Sequence, residues 1–361
     1  MPKLLFIVAF VLVGCHFPSK MAMNGSGGRN AYNIEVQKTN AEEMLLNLVR
    51  LRYYDSPFFL EVSSVTSQFT FKNSATASIN IPGFDKINPM NIGGETLWQN
   101  QPTIQYSPLQ GQEFANQLMQ PIDIGIIQQI IYSGWDIDRV FMLTVQNFQE
   151  YPNIPREGLD LAEKTKHIKF HEVVYLMKEL QMRGDLQVGI RLESEPGAKT
   201  KNLQFAFPSD NDTAKEVAQL MKGEMSANGK YIINIVQGFD EKGNIGILPR
   251  SLLSCMHYLS KSVIIPVSDI EDKKACSLQG EKFDIKHGEK KLVTDLLTVY
   301  NVPRKPKDAY VAIKYRDTWF YIKDEDLHSK KTFMLLLELF NLQSGRAQDR
   351  GPVLTLPIGV G

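Results

Sequence analysis

An excess of charge of either sign is the first thing this 361-residue chain lacks: 40 basic residues balance 40 acidic ones. Binding to a phosphate backbone runs on a basic surplus, so the composition argues against nucleic acid as a partner. The chain also lacks any uninterrupted apolar run of the about 20 residues that a membrane-crossing helix needs. A β-barrel carries a weaker signal per segment, and this absence leaves it open. Catalytic signatures are missing too. There is no G-x-S-x-G elbow, P-loop, G-x-G-x-x-G turn, C-x-x-C pair or H-E-x-x-H helix. With three cysteines the chain cannot be a disulfide-rich scaffold. The expectation is a protein that is not an enzyme and holds no cofactor and no metal.

What the chain does have is an address. Lys3 is followed by an apolar stretch, Leu4–Val13, then Gly14 and Cys15. A basic start, a short apolar core and a small residue before the cut describe a secretory signal, not a membrane helix. With cysteine next, the segment resembles the lipobox of bacterial lipoproteins. That resemblance implies removal of residues 1–14, a diacylglycerol thioether on Cys15 and acylation of the new N-terminus. One acyl chain binds membranes marginally, whereas several hold a protein almost permanently. His16 and Phe17 stand where an acidic residue would favour retention in the inner membrane, so the resemblance points to the outer membrane, with the body facing the periplasm. Residues 15–31 then read as the lipidated cysteine and a Gly/Ser-rich linker with a reach of roughly 20 Å. In an oxidising periplasm Cys255 and Cys276 can form a disulfide. It would close a loop of about 20 residues, worth about 3 kcal/mol. Two buried free thiols are the other reading, and spacing alone does not decide between them.

The body reads as α+β. Residues 32–135 form an N-terminal region. Asn40 and Glu43 make a capping box ahead of a helix carrying Leu45, Leu48 and Val49, which stops before Ser56-Pro57. Phe58–Phe71 and Ser74–Ile81 alternate as strands, with Asn73-Ser74 as the turn. Their Ser/Thr-rich face fits a solvated hairpin, the favoured reading, and also a strand pair given to an oligomeric barrel. Residues 82–106 hold Pro82-Gly83, Asn88-Pro89 and Gly93-Gly94 and read as a long loop ending in a short strand. Ser107-Pro108 predicts a helix start, and Asp123 caps a further helix through Ile126, Ile127, Ile130 and Ile131.

Residues 136–248 follow the order β-α-β-β-α-β: Arg139–Val145, Ile168–Met182, Leu186–Leu192, Leu203–Phe207, a helix from Asp212 and Tyr231–Val236. That is the split βαβ, or ferredoxin-like, order, marred by a long connection at Gln146–Lys166. Residues 249–361 supply a helix at Pro249–Leu259 and an extended Val263–Val267. A hairpin of Tyr310–Tyr315 with Thr318–Ile322 turns at Arg316-Asp317, and a last helix capped by Ser329 precedes an apolar tail.

Candidate chemical groups are few. His167 and His171 are spaced i, i+4 on a helix, which can place two ligands on one metal, but no third ligand accompanies them; two surface histidines are the favoured reading. Glu42-Glu43 and Asp324-Glu325-Asp326 suit helix capping better than acid–base work. The cluster Arg50-Leu51-Arg52-Tyr53-Tyr54-Asp55 has the residue types of an interface hot spot, yet fits a buried helix end better.

Several stretches taken together are similar to a family of uncharacterised proteobacterial lipoproteins. They are Asn47–Tyr53 leading to Glu61–Ser64, Pro102–Gly111, Trp319–Ile322, Ser329–Phe333 and Pro352–Pro357. The resemblance implies no activity and no functional residues. The expected function is that of a lipid-anchored structural or accessory component of an envelope assembly, such as a secretion or export complex. The alternatives are a ligand-, glycan- or lipid-binding lipoprotein using Trp98–Tyr106, and a hydrolase with a dispersed site. Expected partners are the membrane, through Cys15, and envelope proteins or further copies of the chain.

Overall fold

The computed structural model describes residues 29–77, 92–153, 161–195, 198–238, 244–275 and 296–344. By internal packing the chain divides into two units, Met1–Ala41 with Phe58–Leu109, and Glu42–Pro57 with Gln110–Gly361.

Helix α1 (Arg29–Arg52) runs straight through the expected capping box, so Asn40 is an exposed mid-helix residue and no cap. No glycine or proline interrupts residues 29–52, so nothing in the local sequence stops the helix sooner. The last residues of the expected linker, 29–31, are helical for the same reason. The helix ends as expected: Tyr54 takes a positive φ of 61° and the Asp55 N–H closes onto the Arg50 carbonyl at 2.9 Å.

The first unit is dominated by one ribbon, strand β1 (Phe59–Ala77) paired antiparallel with β2 (Ile92–Leu109). Two expectations fail here. Asn73-Ser74 is not a turn, because β1 continues past it, and Gly93-Gly94, Pro102 and Pro108 lie in a strand. Ser107-Pro108 accordingly opens no helix. These residues are local breakers, but eighteen positions of cross-strand pairing outweigh their propensities.

The second unit mixes helices and strands. Helix α2 (Gln112–Met119) precedes α3 (Ile124–Tyr132), which Asp123 caps by accepting the Gly125 N–H at 2.7 Å. Helix α4 (Ile137–Thr144) replaces the expected strand at Arg139–Val145. All eight of its residues are buried, so no polar face imposes a helical period that the sequence would display. Strand β3 (Val145–Phe148) and the short β4 (Tyr151–Pro152) follow, turning at Gln149 with φ 47°. Then come helix α5 (Leu161–Arg183), strands β5 (Gln187–Glu195) and β6 (Ala198–Pro208), and helix α6 (Asp212–Leu220), capped by Asn211. Strands β7 (Glu224–Met225), β8 (Lys230–Gln237) and β9 (Ile245–Pro249) complete the sheet.

The strand order is β4-β3-β9-β8-β6-β5, with β7 beside the start of β8. This order does not confirm a ferredoxin-like arrangement: β9 lies between β3 and β8, pairing antiparallel with the first and parallel with the second. Helices α3, α5 and α6 pack around this sheet, and the core between them is aromatic. Phe141 sits edge-on to Phe148 and Phe205 at 5.2 and 5.9 Å, and Phe148 stacks on Phe170 at 4.9 Å. Such geometries add about 0.5–1.5 kcal/mol per pair to the burial itself.

Helix α7 (Leu252–Ser260) starts at Ser251, whose hydroxyl accepts the Ser254 N–H, and Pro249 ends β9 instead of opening this helix. Val267 begins a short helix α8 (Val267–Glu271), so the expected extension ends before it. Strands β10 (Tyr300–Val302), β11 (Ala309–Tyr315) and β12 (Thr318–Lys323) make a small sheet in the order β10-β12-β11. The β11–β12 turn falls at Arg316-Asp317 as expected, with φ 45° and 66°, the left-handed pair that a tight hairpin demands. Helix α9 (Leu327–Ser344) is capped by Asp326, not Ser329: the Asp326 carboxylate accepts the Ser329 N–H at 3.0 Å and its hydroxyl at 2.6 Å. Helices α2, α4, α7 and α9 pack on one another, so residues on both sides of 135/136 and of 248/249 share one body.

Candidate functional site

The ribbon divides its residues between two faces. Direct partners in an antiparallel pair share a face, and residues alternate faces along each strand. The register pairs Ser64 with Gln105, Thr66 with Thr103, Gln68 with Gln101 and Thr70 with Gln99. These eight residues are uncharged and polar. The opposite face pairs Val65 with Ile104, Ser67 with Pro102, Phe69 with Asn100 and Phe71 with Trp98. Past a bulge at Ser63 it gains the pair Val62–Tyr106. Glu61, Lys72 and Glu95 are the ribbon's only charged residues, and pairing puts all three on the polar face. Ile104 and Tyr106, on the apolar face, are 43 % and 53 % exposed.

Among the described residues β1 and β2 pair only with each other. Their outer edges therefore present rows of backbone donors and acceptors to a further strand. Pro102 and Pro108 each remove a donor from β2, and the bulge at Ser63 interrupts the ladder. An isolated two-stranded ribbon is marginal in water.

The other candidate residues behave as parts of the fold. Cys15 and Cys276 lie outside the described residues. Cys255 is a buried free thiol that donates to the Leu143 carbonyl at 3.3 Å, and burial pushes its pKa up to about 12. A thiol held that far from ionisation is a poor nucleophile. His167 and His171 are not a surface pair: His167 is buried, its Nδ1 lies 3.2 Å from the Pro152 carbonyl, and the two rings meet edge-on at 4.6 Å. Burial lowers the His167 pKa. No group of three metal-ligating side chains forms among the described residues.

The Arg50–Asp55 cluster is an internal stitch. Tyr53 donates its hydroxyl to Asp269 at 2.6 Å, and burial with that carboxylate raises the phenol above its usual range. Arg316 lies 4.8 Å over the Tyr53 ring and donates to Asp55 at 3.1 Å, and Tyr315 donates to the same carboxylate. Asp324 pairs with Lys330, which leaves the acidic triplet to helix capping. Trp98–Tyr106 lies within β2 and not in the expected loop.

The composition gave no sign of the buried arginine centre. Nη1 of Arg250 donates to the carbonyls of Met142, Leu143 and Val145 at 2.9, 3.0 and 2.9 Å. The guanidinium stacks 4.2 Å over Tyr258, and burial lowers its pKa. The carbonyls are those at the C-terminal end of α4, where a cation complements the helix dipole. A shallow cleft beside Phe148, Glu150, Tyr151 and Lys222 places no nucleophile next to a base.

Comparison with protein-family models, curated proteins and solved structures found no match. The functional reading therefore rests on the residues themselves.

Proposed function

We propose that this protein is a lipid-anchored structural component of a bacterial envelope assembly, tethered through Cys15 and facing the periplasm. The observation that carries the reading is the ribbon β1–β2. Among the described residues it pairs with no further strand, and the face opposite its Ser/Thr/Gln side holds exposed Ile104 and Tyr106. Strand edges join other strands and do no covalent chemistry. The lipobox-like sequence up to Cys15 supplies the membrane attachment.

Mass spectrometry of the N-terminal peptide from membrane-derived protein should find acylated Cys15 and no residues 1–14. Crosslinking in intact cells should shift the protein into a high-mass species. An unmodified N-terminus, or a protein that stays monomeric under crosslinking, refutes the proposal.

A further inference from the structure

The ribbon's dimensions match a particular solvent. Between Glu61 at one end and Lys72 at the other, β1 holds an uncharged band, Val62–Phe71, and β2 holds its uncharged partner, Trp98–Tyr106. With Ser63 bulged out the band holds nine paired positions, which at about 3.3 Å each span about 30 Å. Tilted by about 40°, they rise about 23 Å, close to the height of about 25 Å of a membrane barrel's apolar band. A membrane-crossing strand needs about 9–11 residues. The opposite face of this band holds Val62, Val65, Phe69 and Ile104, with Pro102 and two polar residues, Ser67 and Asn100, among them. It carries Phe71 and Trp98 at one end and Tyr106 at the other. Aromatic residues at both borders form the girdle found where a barrel meets the two membrane interfaces. The eight-residue Ser/Thr/Gln face has the chemistry of a water-filled lumen and none of the bulk apolar residues of a packed core.

We infer that β1–β2 crosses a membrane, and that copies of this chain join edge to edge through it into one closed β-barrel with the Ser/Thr/Gln face inside. Closure follows from the medium, since an open sheet edge cannot face lipid, where no water satisfies its backbone. A second copy is the natural neighbour. Placing β2 of one protomer beside β1 of the next continues the antiparallel meander and sets two uncharged bands of matching length side by side. A head-to-tail contact repeated in this way closes into a ring. Each copy gives two strands, so the strand number is even. A lumen open to water takes about 16 strands or more, hence about eight copies or more. The inference rests on the envelope reading for its membrane, and deepens it from an anchored component to a pore-forming one.

Val65 and Thr66 are neighbours on opposite faces near the middle of the band, so the same substitution at each separates the models. Purified full-length lipidated protein should permeabilise phosphatidylethanolamine/phosphatidylglycerol vesicles to small ions. Val65→Arg places a charge against lipid and should reduce that conductance at least tenfold. Thr66→Arg places it in the lumen; conductance should stay within about threefold and shift toward anions. Circular dichroism on both variants verifies that the second unit is folded. Equal behaviour of the two variants, or no conductance from the parent protein when its Cys15 is acylated, overturns the barrel and leaves the envelope reading standing. An unacylated Cys15 in cells overturns the envelope reading first.

Discussion

Replacing Arg250 by methionine should destabilise the second unit by about 3–5 kcal/mol, the range for removing one partner from a buried charged network. The three carbonyls that the guanidinium serves, those of Met142, Leu143 and Val145, belong to the backbone and cannot be substituted away. This distinguishes the site from a buried ion pair, where exchanging both partners for apolar residues can be neutral. Methionine restores much of the volume over Tyr258, and each carbonyl keeps a second donor: Asn153 Nδ2 on Met142 and Val145, and Cys255 Sγ on Leu143. The loss is therefore that of three charge-assisted hydrogen bonds at about 1.5 kcal/mol or more each. Hydrogen bonds in one network are not additive, which holds the total near 4 kcal/mol. At about 2–4 °C per kcal/mol for a body of this size, the midpoint of thermal unfolding should fall by about 8–16 °C. Arg250→Lys keeps the charge but not the planar stack or the fork, and should lie between the two. Urea denaturation followed by tryptophan fluorescence measures all three proteins. A methionine variant within about 1 kcal/mol of the parent would refute the assignment of Arg250 as the cap of α4.

Gly223→Ala should destabilise by about 1–3 kcal/mol, the range for overpacking a tight site. The new Cβ would sit 3.1 and 3.2 Å from the Cβ and backbone Cα of Ala218 and 3.3 Å from Ile233, and only the isoleucine can yield; equal denaturation midpoints would disprove the clash. His167 is held neutral by burial, so its folded pKa lies below the unfolded value of 6.5. Its contribution is present above about pH 6.5 and lost as the pH falls through the depressed folded value. His167→Gln should flatten the acid side of a stability–pH curve, and an unchanged slope would show that other groups set it.

The hairpin of β11 and β12 was legible because its turn residues and alternation agree over a few neighbours. So was α3, where Asp123 and the isoleucine stripe coincide. Two elements were not legible, for different physical reasons. Helix α4 is buried on all sides, Asp138, Arg139 and Thr144 included, so its polar residues mark no solvent face and the octet carries no helical period. Strand β2 contains Gly93, Gly94, Pro102 and Pro108, and only its long-range pairing with β1 makes it a strand. That pairing is also what reveals the candidate site. The Ser/Thr alternation of β1 was visible early, but Gln99, Gln101 and Gln105 join its polar face only once the register is known. Arg250 left no sequence signature, because the groups it binds are carbonyls, which every residue has.

The place of β9 has a consequence for how the chain is made. Strand β3 has its sheet neighbour in β9, and so does the free edge of β8. As the chain emerges from its export channel, β3 appears about 100 residues before β9. Through that interval the nascent sheet exists as two separate pieces with bare edges, and Pro249 is the residue at which they become one. A chain held short of that point would present a sticky, half-closed sheet, so in an exported chain the need for a holding chaperone on the far side of the inner membrane should peak before the last third has crossed.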